Sequence, residues 1–475
     1  MGRPISPGNK VMLPSVTLYG ALIKHRSLDP VLLIGSVLVL AAILTWVLPA
    51  GRFQRTRNPQ TGQTIIVPGS YAPVPRHPIG LWGILLAVPQ GLNEAAAVIF
   101  YVFLAGAALT VVEATGAIGN TLDHLMRRFG SRPLLILLLT SLIFLIGGAS
   151  YSMYEEILAL IPVLCALTNR LGLDGEMAVG ISLGTATVGA TFSPFNTFAL
   201  GVSQPIAELR LFSGARFRTV VFLLALIIWA GYLAWYATRA RVSALSKSEA
   251  IAAGQPVSLT RWSPRDIAVL ASLIGGMACV VLGAVFLRWD LPQFSAVFVA
   301  VGFLAGLAGG LGWRTTAEQF AEGFRRMALA ATLIGFARAI SVVLANGVVL
   351  DSIANTLFSP LRHLPLGASS IAMFLSESAL AFPLPSDSGR AMMSLPILVP
   401  LSDLLGLSRQ LVVNAFAFST IASGLVTPTS GAMLAMLSLA GVSYSKWLRF
   451  IALPAILLIA LSAAAMVIAV RIGLS

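Results

Sequence analysis

Charge is scarce in this chain, and the scarcity excludes most classes of protein. Only 10% of the 475 residues are charged, 57% are hydrophobic, and the mean hydropathy is +0.89. A soluble domain usually carries about 25% charged residues, so a water-soluble globular protein is excluded. Apolar blocks of about 18 residues or more, the length that crosses a bilayer as a helix, recur along the chain. The sequence therefore predicts an all-α polytopic membrane protein.

Cysteines, histidines and catalytic motifs are equally sparse. The two cysteines, Cys165 and Cys279, lie in apolar segments, which is too few for a disulfide framework and lacks metal-ligand spacing. The four histidines are scattered. No HExxH motif occurs, so a membrane-embedded enzyme is disfavoured. We expect no cofactor other than a coupling ion.

The formal net charge of +13 points to membrane topology rather than to a nucleic-acid partner. Arg and Lys lie mainly in loops between apolar blocks, as the positive-inside rule expects. The first apolar block, 31–50, is too long for a signal-peptide core, and we interpret it as a retained helix. The sequence predicts a multi-pass protein of the bacterial cytoplasmic (inner) membrane, with residues 1–30 in the cytoplasm.

Two long apolar regions, 132–170 and 368–405, differ from the other blocks because polar residues interrupt them. The interruptions are "GGASYSMYEE" and "AFPLPSDSGR". Irregular backbone is tolerated inside a membrane only where protein or a wet cavity surrounds it. Each region therefore predicts a re-entrant helical hairpin with its tip near the bilayer midplane. Full membrane spans are predicted at 31–50, 94–113, 176–203, 217–238, 266–287, 292–312, 327–350, 409–435 and 447–471. Whether residues 79–91 span the membrane is left open.

The two halves of the chain resemble each other at an offset of 234 residues. "IPVLCALTNRLGL" aligns with "LPILVPLSDLLGL", and the same offset places Pro194 on Pro428. The loop beside the first hairpin, "HLMRRFGSR", is richer in arginine than its counterpart "FSPLRHLPL", which favours opposite orientations of the copies. The predicted organisation is an inverted repeat: a first copy at 31–238, a linker at 239–265, and a connecting span plus the second copy at 266–471.

Each hairpin is followed by a span that is broken at a proline, in "TFSPFNTF" and "LVTPTSGA". Broken helices that meet at mid-membrane are typical of secondary transporters, and their free termini bind ions. Possible sodium ligands are Ser193, Asn196, Thr427 and Ser430; sodium and protons both remain candidates for the coupling ion. The candidate substrate-binding residues are Ser150, Tyr151, Ser152, Glu155, Glu156, Asn196, Thr197, Arg338, Ser386, Asp387, Ser388, Arg390, Thr429 and Ser430.

Several of these residues also allow structural roles. Glu155 and Glu156 are suited to capping the helix that they begin, and Asp387 is spaced to neutralise Arg390 across one turn. Glu156 aligns with Arg390 in the second copy, and an alternative role for these two residues is to pair with each other. An arginine inside a membrane span marks a functional site by default. For Arg338 the alternative is a salt bridge to Glu113 or Glu377.

The chain resembles the YfcC branch of the DcuC-type carriers, within the ion transporter superfamily. The resemblance rests on "LAAILTWVLPAGRFQR", "VPGSY", "SMYEE", "SPFNTF", "FARAIS", "PSDSGRA" and "PTSGAMLA…YSKWLRF", in order between about residues 30 and 455. It implies two hairpins around one site, a dimerising scaffold, frequent elevator-type movement, and uptake or exchange of carboxylates or amino acids. The family pattern has Asn-Pro-Phe in place of Asn196-Thr197-Phe198, and Ser-Gly-Ser-Gly-Gln in place of residues 386–390.

The expected function is secondary active transport, by symport or antiport, of a small carboxylate-bearing solute, either a C4-dicarboxylate or an amino acid. Alternating access across the cytoplasmic membrane is the expected mechanism. The expected partners are that solute, a coupling cation, the lipid bilayer and a second copy in a homodimer. An ion channel is the alternative, although duplicated broken hairpins suit an occluded site better than an open pore.

Overall fold

The computed structural model describes residues 28–57, 64–121, 124, 133–248, 263–287 and 289–474. The predicted cytoplasmic segment 1–30 lies almost entirely outside the described residues, as does most of the predicted linker. The last helix of the first copy continues to Ser248, past the predicted boundary at residue 238.

Helices account for nearly all regular structure in the described part of the chain. Two of the helical segments are interrupted at the prolines noted in the sequence, Pro194 and Pro428. The helices are α1 Leu28–Val47, α2 Leu81–Glu94, α3 Ala96–Ala114, α4 Pro133–Tyr151, α5 Glu155–Arg170, α6 (Gly175–Val179, the π-helical Gly180–Gly184 and Thr185–Phe192), α7 Ala199–Ile206, α8 Ala215–Ser248, α9 Pro264–Phe286, α10 Leu291–Ala308, α11 Gly312–Asn346, α12 Leu350–Phe358, α13 Leu366–Leu380, α14 Asp387–Leu404, α15 (Arg409–Ile421 with the π-helical Ala422–Val426), α16 Gly431–Leu439 and α17 Tyr444–Arg471.

Four short strands between α1 and α2 depart from the all-helical prediction. β1 Gly51–Arg52 pairs with β4 Ala72–Pro73, and β2 Arg55–Arg57 pairs with β3 Thr64–Ile66, both antiparallel. Asp351 at the start of α12 holds this ribbon, accepting hydrogen bonds from the Phe53 amide (2.9 Å) and from Arg55 (2.8 Å). Strands of two or three residues are too short for an alternating pattern to reveal them.

Nine helices of the described chain are long and apolar enough to cross a membrane, which confirms a polytopic protein. The first helix of the predicted first hairpin, α4, is itself among them. The predicted span 176–203 is absent from that set, and the chain breaks between α6 and α7. The undecided segment 79–91 forms α2, whose 14 residues are shorter than a full span.

One order of elements occurs twice. A long helix, a short helix, two hairpin helices, a broken helix and a closing helix follow one another from α3 to α8, where residues 117–121 form the short helix, and again from α11 to α17. Gly172 and Gly406, 234 positions apart, both take positive φ (74° and 67°) after the second hairpin helix. At such a position glycine ends a helix without steric cost.

Helix α11 packs antiparallel against the nearly continuous pair α2–α3, and we call these three helices the scaffold. Gly91 lies against the backbone of Gly335 and Ala339, Gly106 lies against Met327, and Ala107 lies against Gly323. Positions rise along α2–α3 as they fall along α11, so the equivalent helices of the two copies run in opposite directions. Glycine lets the backbones of membrane helices approach closely.

We expect Gly91→Ala to destabilise the protein by about 1–3 kcal/mol, the usual cost of overpacking. The added Cβ lies 2.6 Å from both Ala339 N and Gly335 O, and backbone atoms cannot rotate away as a side chain does. Thermal unfolding of the purified protein in detergent measures the effect. Gly231→Ala on α8, where a Cβ meets nothing within 4 Å, is the control. Equal stability of the two variants contradicts the prediction.

Candidate substrate site

The first tip is the sharp turn between α4 and α5. Ser152 occupies the left-handed region at φ 61°, which is unusual for a residue other than glycine. Just before the turn, α4 lies so close to α6 that a Cβ on Gly148 sits 2.1 Å from the Ala186 carbonyl oxygen. The turn is therefore fixed by its contact with the first broken helix.

Residues of the break between α6 and α7 donate hydrogen bonds to the carbonyls at the end of α4. Asn196 donates from Nδ2 to Gly148 O (2.9 Å), Ser193 donates to Ala149 O (2.7 Å), and the Thr197 amide donates to Ser150 O (2.8 Å). A helix end leaves its last carbonyls without partners inside the helix. The break thus supplies hydrogen-bond donors to the carbonyls at the end of α4. Four of the predicted substrate residues meet here: Ser150, Ser152, Asn196 and Thr197.

The second break binds the second hairpin in a related way. Thr429 donates from its hydroxyl to Phe382 O (2.7 Å) and is paired with the Thr427 hydroxyl (2.7 Å). Ser341 of α11 donates to the next carbonyl, Pro383 O, at 3.0 Å. In both copies, a hydroxyl from the break satisfies a carbonyl where the first hairpin helix ends.

Two further predicted residues complete the second tip. Ser386 caps α14 by accepting from the Gly389 amide (3.3 Å), and the Ser388 hydroxyl lies 3.4 Å from that of Ser386. Ser430 is the residue before α16, and its amide donates to Thr427 O at 3.2 Å.

The predicted sodium ligands are largely engaged with the protein itself. Asn196 Oδ1 accepts from the amides of Phe198 (2.9 Å) and Ala199 (2.7 Å). Ser193 Oγ accepts from the Phe195 amide at 3.1 Å while donating to Ala149 O. The described residues contain no group of three or more His, Cys, Asp or Glu arranged to hold a metal ion.

Two adjacent carboxyl groups begin α5. Glu155 and Glu156 occupy its first turn, where free N–H groups favour negative charge. Glu156 is 3% exposed, and its Oε2 is buried without a hydrogen-bond partner in the described chain. The hydroxyls of Tyr101 on α3 and Tyr151 on α4 are also buried and unpartnered, within electrostatic range of Glu156. Capping alone leaves this buried oxygen unexplained.

The second tip carries a buried charge cluster centred on Arg390. Its guanidinium is fully buried, bonds to Asp387 at 2.9 Å, lies 3.5 Å from the Glu377 carboxylate, and sits over the Phe416 ring. Arg390 therefore has two carboxylate neighbours. It does not need Glu156 for charge compensation, although the alignment of the copies suggested that these two residues pair. Arg390 Nε and Nη1 and both Glu377 oxygens lack hydrogen-bond partners within the described chain.

Arg338 takes a different partner from those expected. It pairs with Glu94 at 2.8 Å, where α2 meets α11, and the two side chains are 39% and 45% exposed. The expected partners are committed elsewhere: Glu113 pairs with Arg326 and Glu377 with Arg390. The expectation of a bridge to Glu113 or Glu377 is therefore wrong. Sequence spacing missed Glu94 because it lies on another helix, 244 positions away.

The two broken helices cross at the centre of the molecule. The rings of Phe192 of α6 and Phe418 of α15 are in contact, with centroids 5.3 Å apart and planes tilted by 40°. A Cβ on Gly424 comes 2.7 Å from Thr187 Cγ2 and 3.1 Å from the hydroxyl of Tyr154. Because Tyr154 belongs to the first tip and Gly424 to the second broken helix, the two halves meet here.

Sequence reasoning missed a group of buried hydroxyls on these crossing elements. Each lacks a hydrogen-bond partner within the described chain, and each had looked like an ordinary helix or turn residue. The crossing that assembles them has no local signature in the sequence. The residues are Tyr154, Thr187, Thr191 and Thr420.

The charges at the tips are unequal. Asp387 lies within electrostatic range of both Tyr154 and Glu155. Counting the carboxylates of Glu155, Glu156, Glu377 and Asp387 against the single guanidinium of Arg390 leaves a formal charge of −3 when all are ionised. In a medium of low dielectric, such an excess requires protons or a bound cation.

The model of the DcuC family, described as "C4-dicarboxylate anaerobic carrier", matches residues 29–471 of this chain. The chain belongs to the DcuC family. It is 28% identical over 469 residues to the "Putative basic amino acid antiporter YfcC" of Escherichia coli (strain K12), covering 89% of this chain and 92% of that protein. It is 24% identical over 466 residues to an uncharacterised protein of Haemophilus influenzae (strain Rd), covering 88% and 91%.

Two solved transporters are similar in structure to this DcuC member. The YdaH transporter of Alcanivorax borkumensis has a TM-score of 0.42 at 15% identity, covering 94% of this chain and 99% of that one. MtrF of Neisseria gonorrhoeae has a TM-score of 0.40 at 14% identity, covering 94% and 95%. Family membership and the nine apolar helices of the described chain identify a multi-pass membrane transporter, as expected for the bacterial inner membrane.

We expect Asn196→Asp to destabilise the protein by about 1–3 kcal/mol and to reduce transport sharply. The change removes the two N–H donors and sets a carboxylate oxygen against Gly148 O, so one hydrogen bond is replaced by repulsion between two acceptors. Thermal unfolding in detergent and uptake by proteoliposomes measure both effects. The control is Asn169→Asp, at an exposed position near the end of α5. Wild-type stability of the Asn196→Asp variant argues against the bond from Asn196 as the tether of the first tip.

Proposed function

We propose that this protein is a secondary transporter of amino acids whose side chain carries a positive charge, operating by alternating access. The observation that carries the proposal is the excess of carboxylates over guanidinium groups at the two tips. A cationic amino acid brings two positive groups and one carboxylate, and it lowers the buried negative charge. A C4-dicarboxylate adds two negative charges to the same region, which is costly at low dielectric.

In this proposal the two ends of the solute have separate partners. Glu156, buried with one free oxygen, and its neighbour Glu155 receive an ammonium group. The solute carboxylate is received by the N-terminal turn of α14, where Ser386 and Ser388 lie, with Arg390 beneath it. Exposed N–H groups at a helix start bind carboxylates without a further cation. Phe195 and Thr197, which are exposed beside the first tip, contact the remainder of the solute.

For the coupling ion we favour the proton. The oxygens of Ser193 and Asn196 are occupied by backbone hydrogen bonds, which weighs against sodium at the first break. A buried carboxyl such as Glu156 can hold a proton when the solute is absent and release it when an ammonium group arrives. Competition of this kind at one group links proton and solute movement in opposite directions.

The larger arrangement is part of the same proposal. We infer that the hairpins 132–170 and 368–405 are re-entrant from opposite sides and that the copies 31–238 and 266–471 form an inverted repeat. Related element order and the antiparallel contact of α11 with α2–α3 support this inference. A homodimer through the scaffold is proposed on the family resemblance alone.

The comparisons bear on the choice of solute. The family description names a C4-dicarboxylate carrier, whereas the 28% identical relative is named as a basic amino acid antiporter. The charge at the tips favours the second description. Observed transport of C4-dicarboxylates contradicts the proposal.

Counterflow in proteoliposomes tests the solute class. Vesicles loaded with unlabelled lysine, arginine or ornithine are expected to accumulate the labelled amino acid with saturable kinetics, while vesicles loaded with succinate or fumarate do not accumulate the labelled dicarboxylate. Because protons compete with the cation for Glu156, lowering the pH on the side of uptake is expected to reduce the rate. Saturable dicarboxylate counterflow overturns the proposal, and a non-saturating conductance indicates a channel.

We expect Glu156→Gln to lower transport by two orders of magnitude or more while leaving the protein folded. Glutamine keeps the shape of the side chain but cannot neutralise an ammonium group or carry a proton. A purely capping role predicts a loss of about 1 kcal/mol of stability or less, with transport intact. Glu318→Gln, on an exposed carboxylate paired with Arg314, is the matched control. Wild-type transport by the Glu156→Gln protein assigns Glu156 a structural role.

A further inference from the structure

A second buried arginine, Arg218, lies far along the chain from the tip residues and has no charged partner within the described residues. It sits in the first turn of α8 and is 1% exposed. Its guanidinium donates from Nε to Asn414 Oδ1 (2.8 Å) and from Nη2 to Gln410 Oε1 (3.2 Å). Both acceptors are neutral amides on α15. Two amide dipoles stabilise a guanidinium without cancelling its charge.

The nearby acids are already committed. Glu208 and Asp403 both bind Arg409, at 2.6 Å and 2.8 Å, and Arg409 directly precedes Gln410 in the chain. No ion pair to Arg218 occurs within the part of the chain that the structure describes. Other arginines of the described membrane helices, such as Arg326 and Arg390, do have carboxylate partners. A buried charge without a partner is among the most expensive features that a protein interior can hold.

The same pair of side chains also holds two unused donors. Arg218 Nη1 and Asn414 Nδ2 are both buried without a hydrogen-bond partner in the described chain. Asn414 binds the Nε/Nη2 edge of the guanidinium through its amide oxygen, whereas Nη1 lies on the opposite edge. One positive charge together with unused N–H donors is what a small anion requires.

The loop before α8 encloses this contact. Gln410 Nε2 donates to the Ser213 hydroxyl, and Gln204 Nε2 donates to Ser213 O at 3.0 Å. Gly214 takes φ 72°, and a Cβ there would lie 3.0 Å from Gln410 Oε1. The closely fitted loop leaves Arg218 buried, so the enclosure suits a small ion rather than a bulky solute.

We propose that Arg218 is the centre of a binding site for a small monovalent anion, such as chloride or a short carboxylate like formate. The anion accepts from Arg218 Nη1 and supplies the missing counter-charge where α8 meets α15. Since those helices belong to different copies of the repeat, the anion stabilises the contact between the two halves. This proposal is independent of the solute assigned to the tips.

Thermal unfolding of the purified protein in detergent tests the site. At constant sodium concentration and ionic strength, replacing gluconate, which is too large to be enclosed, by chloride is expected to raise the Tm by about 3 °C or more. A parallel series in formate tells a halide site from a carboxylate site. Arg218→Gln is expected to abolish the anion dependence. Arg409→Gln, which removes a nearby arginine with its own carboxylate partners, is expected to preserve it.

Asn414→Asp provides a second variant that does not depend on removing the arginine. The substitution places a carboxylate beside Arg218 with almost the same shape, so a bound anion becomes unnecessary. Its Tm in gluconate is expected to equal or exceed that of the wild type in chloride, with no further rise in chloride. Binding of radioactive chloride to the wild-type protein is a direct measurement. Equal wild-type Tm in all three anions together with no chloride binding, or full anion dependence in the Arg218→Gln protein, overturns the proposal.

Discussion

The hydrogen bonds between the broken helices and the hairpin ends are the constraint on which the centre of this protein depends. Inside a bilayer, water does not satisfy an open carbonyl, and each unsatisfied group costs several kcal/mol. Ser193, Asn196 and Thr197 serve the end of α4, and Thr429 and Ser341 serve the end of α13. These bonds fix both tips against the broken helices. Residues that looked like free ion ligands in the sequence are therefore part of the framework that holds the site.

Charged side chains, like the backbone carbonyls, are mostly paired. Arg326, Arg338 and Arg390 each have a carboxylate partner, so these arginines add no net positive charge to the apolar interior. The two departures lie at the carboxylates of the tips and at Arg218. The first leaves an excess of negative charge where a cationic solute is proposed to bind, and the second leaves a positive charge where an anion is proposed. In both places an ion, a proton or a solute is proposed to balance the charge.

Close contact of backbones connects these two features to the scaffold. Glycines let α11 lie directly on α2–α3, and Gly424 lets the second broken helix approach Thr187 and Tyr154 of the first half. The same principle brings the two copies together at the scaffold and at the site. The proposed alternating access requires one of these contacts to change while the other persists. The α11 contact, which is backbone on backbone at Gly91, is the one suited to remain fixed.

The sequence by itself determined the membrane class, most of the spans, the two interrupted regions, the prolines at both breaks and the family. These follow from composition and local pattern, because a bilayer imposes length and hydropathy on every helix that crosses it. It also supplied residues such as Asn196, Asp387 and Arg390 as members of the central region. Only the tertiary structure decided the partners: Glu94 for Arg338, Glu377 beside Arg390, Gly148 O for Asn196, and two amides for Arg218. Such pairings join residues that are mostly far apart in the chain or on different helices. They depend on how the helices cross and how each helix is rotated about its axis, and the hydropathy of a segment buried on most sides encodes neither.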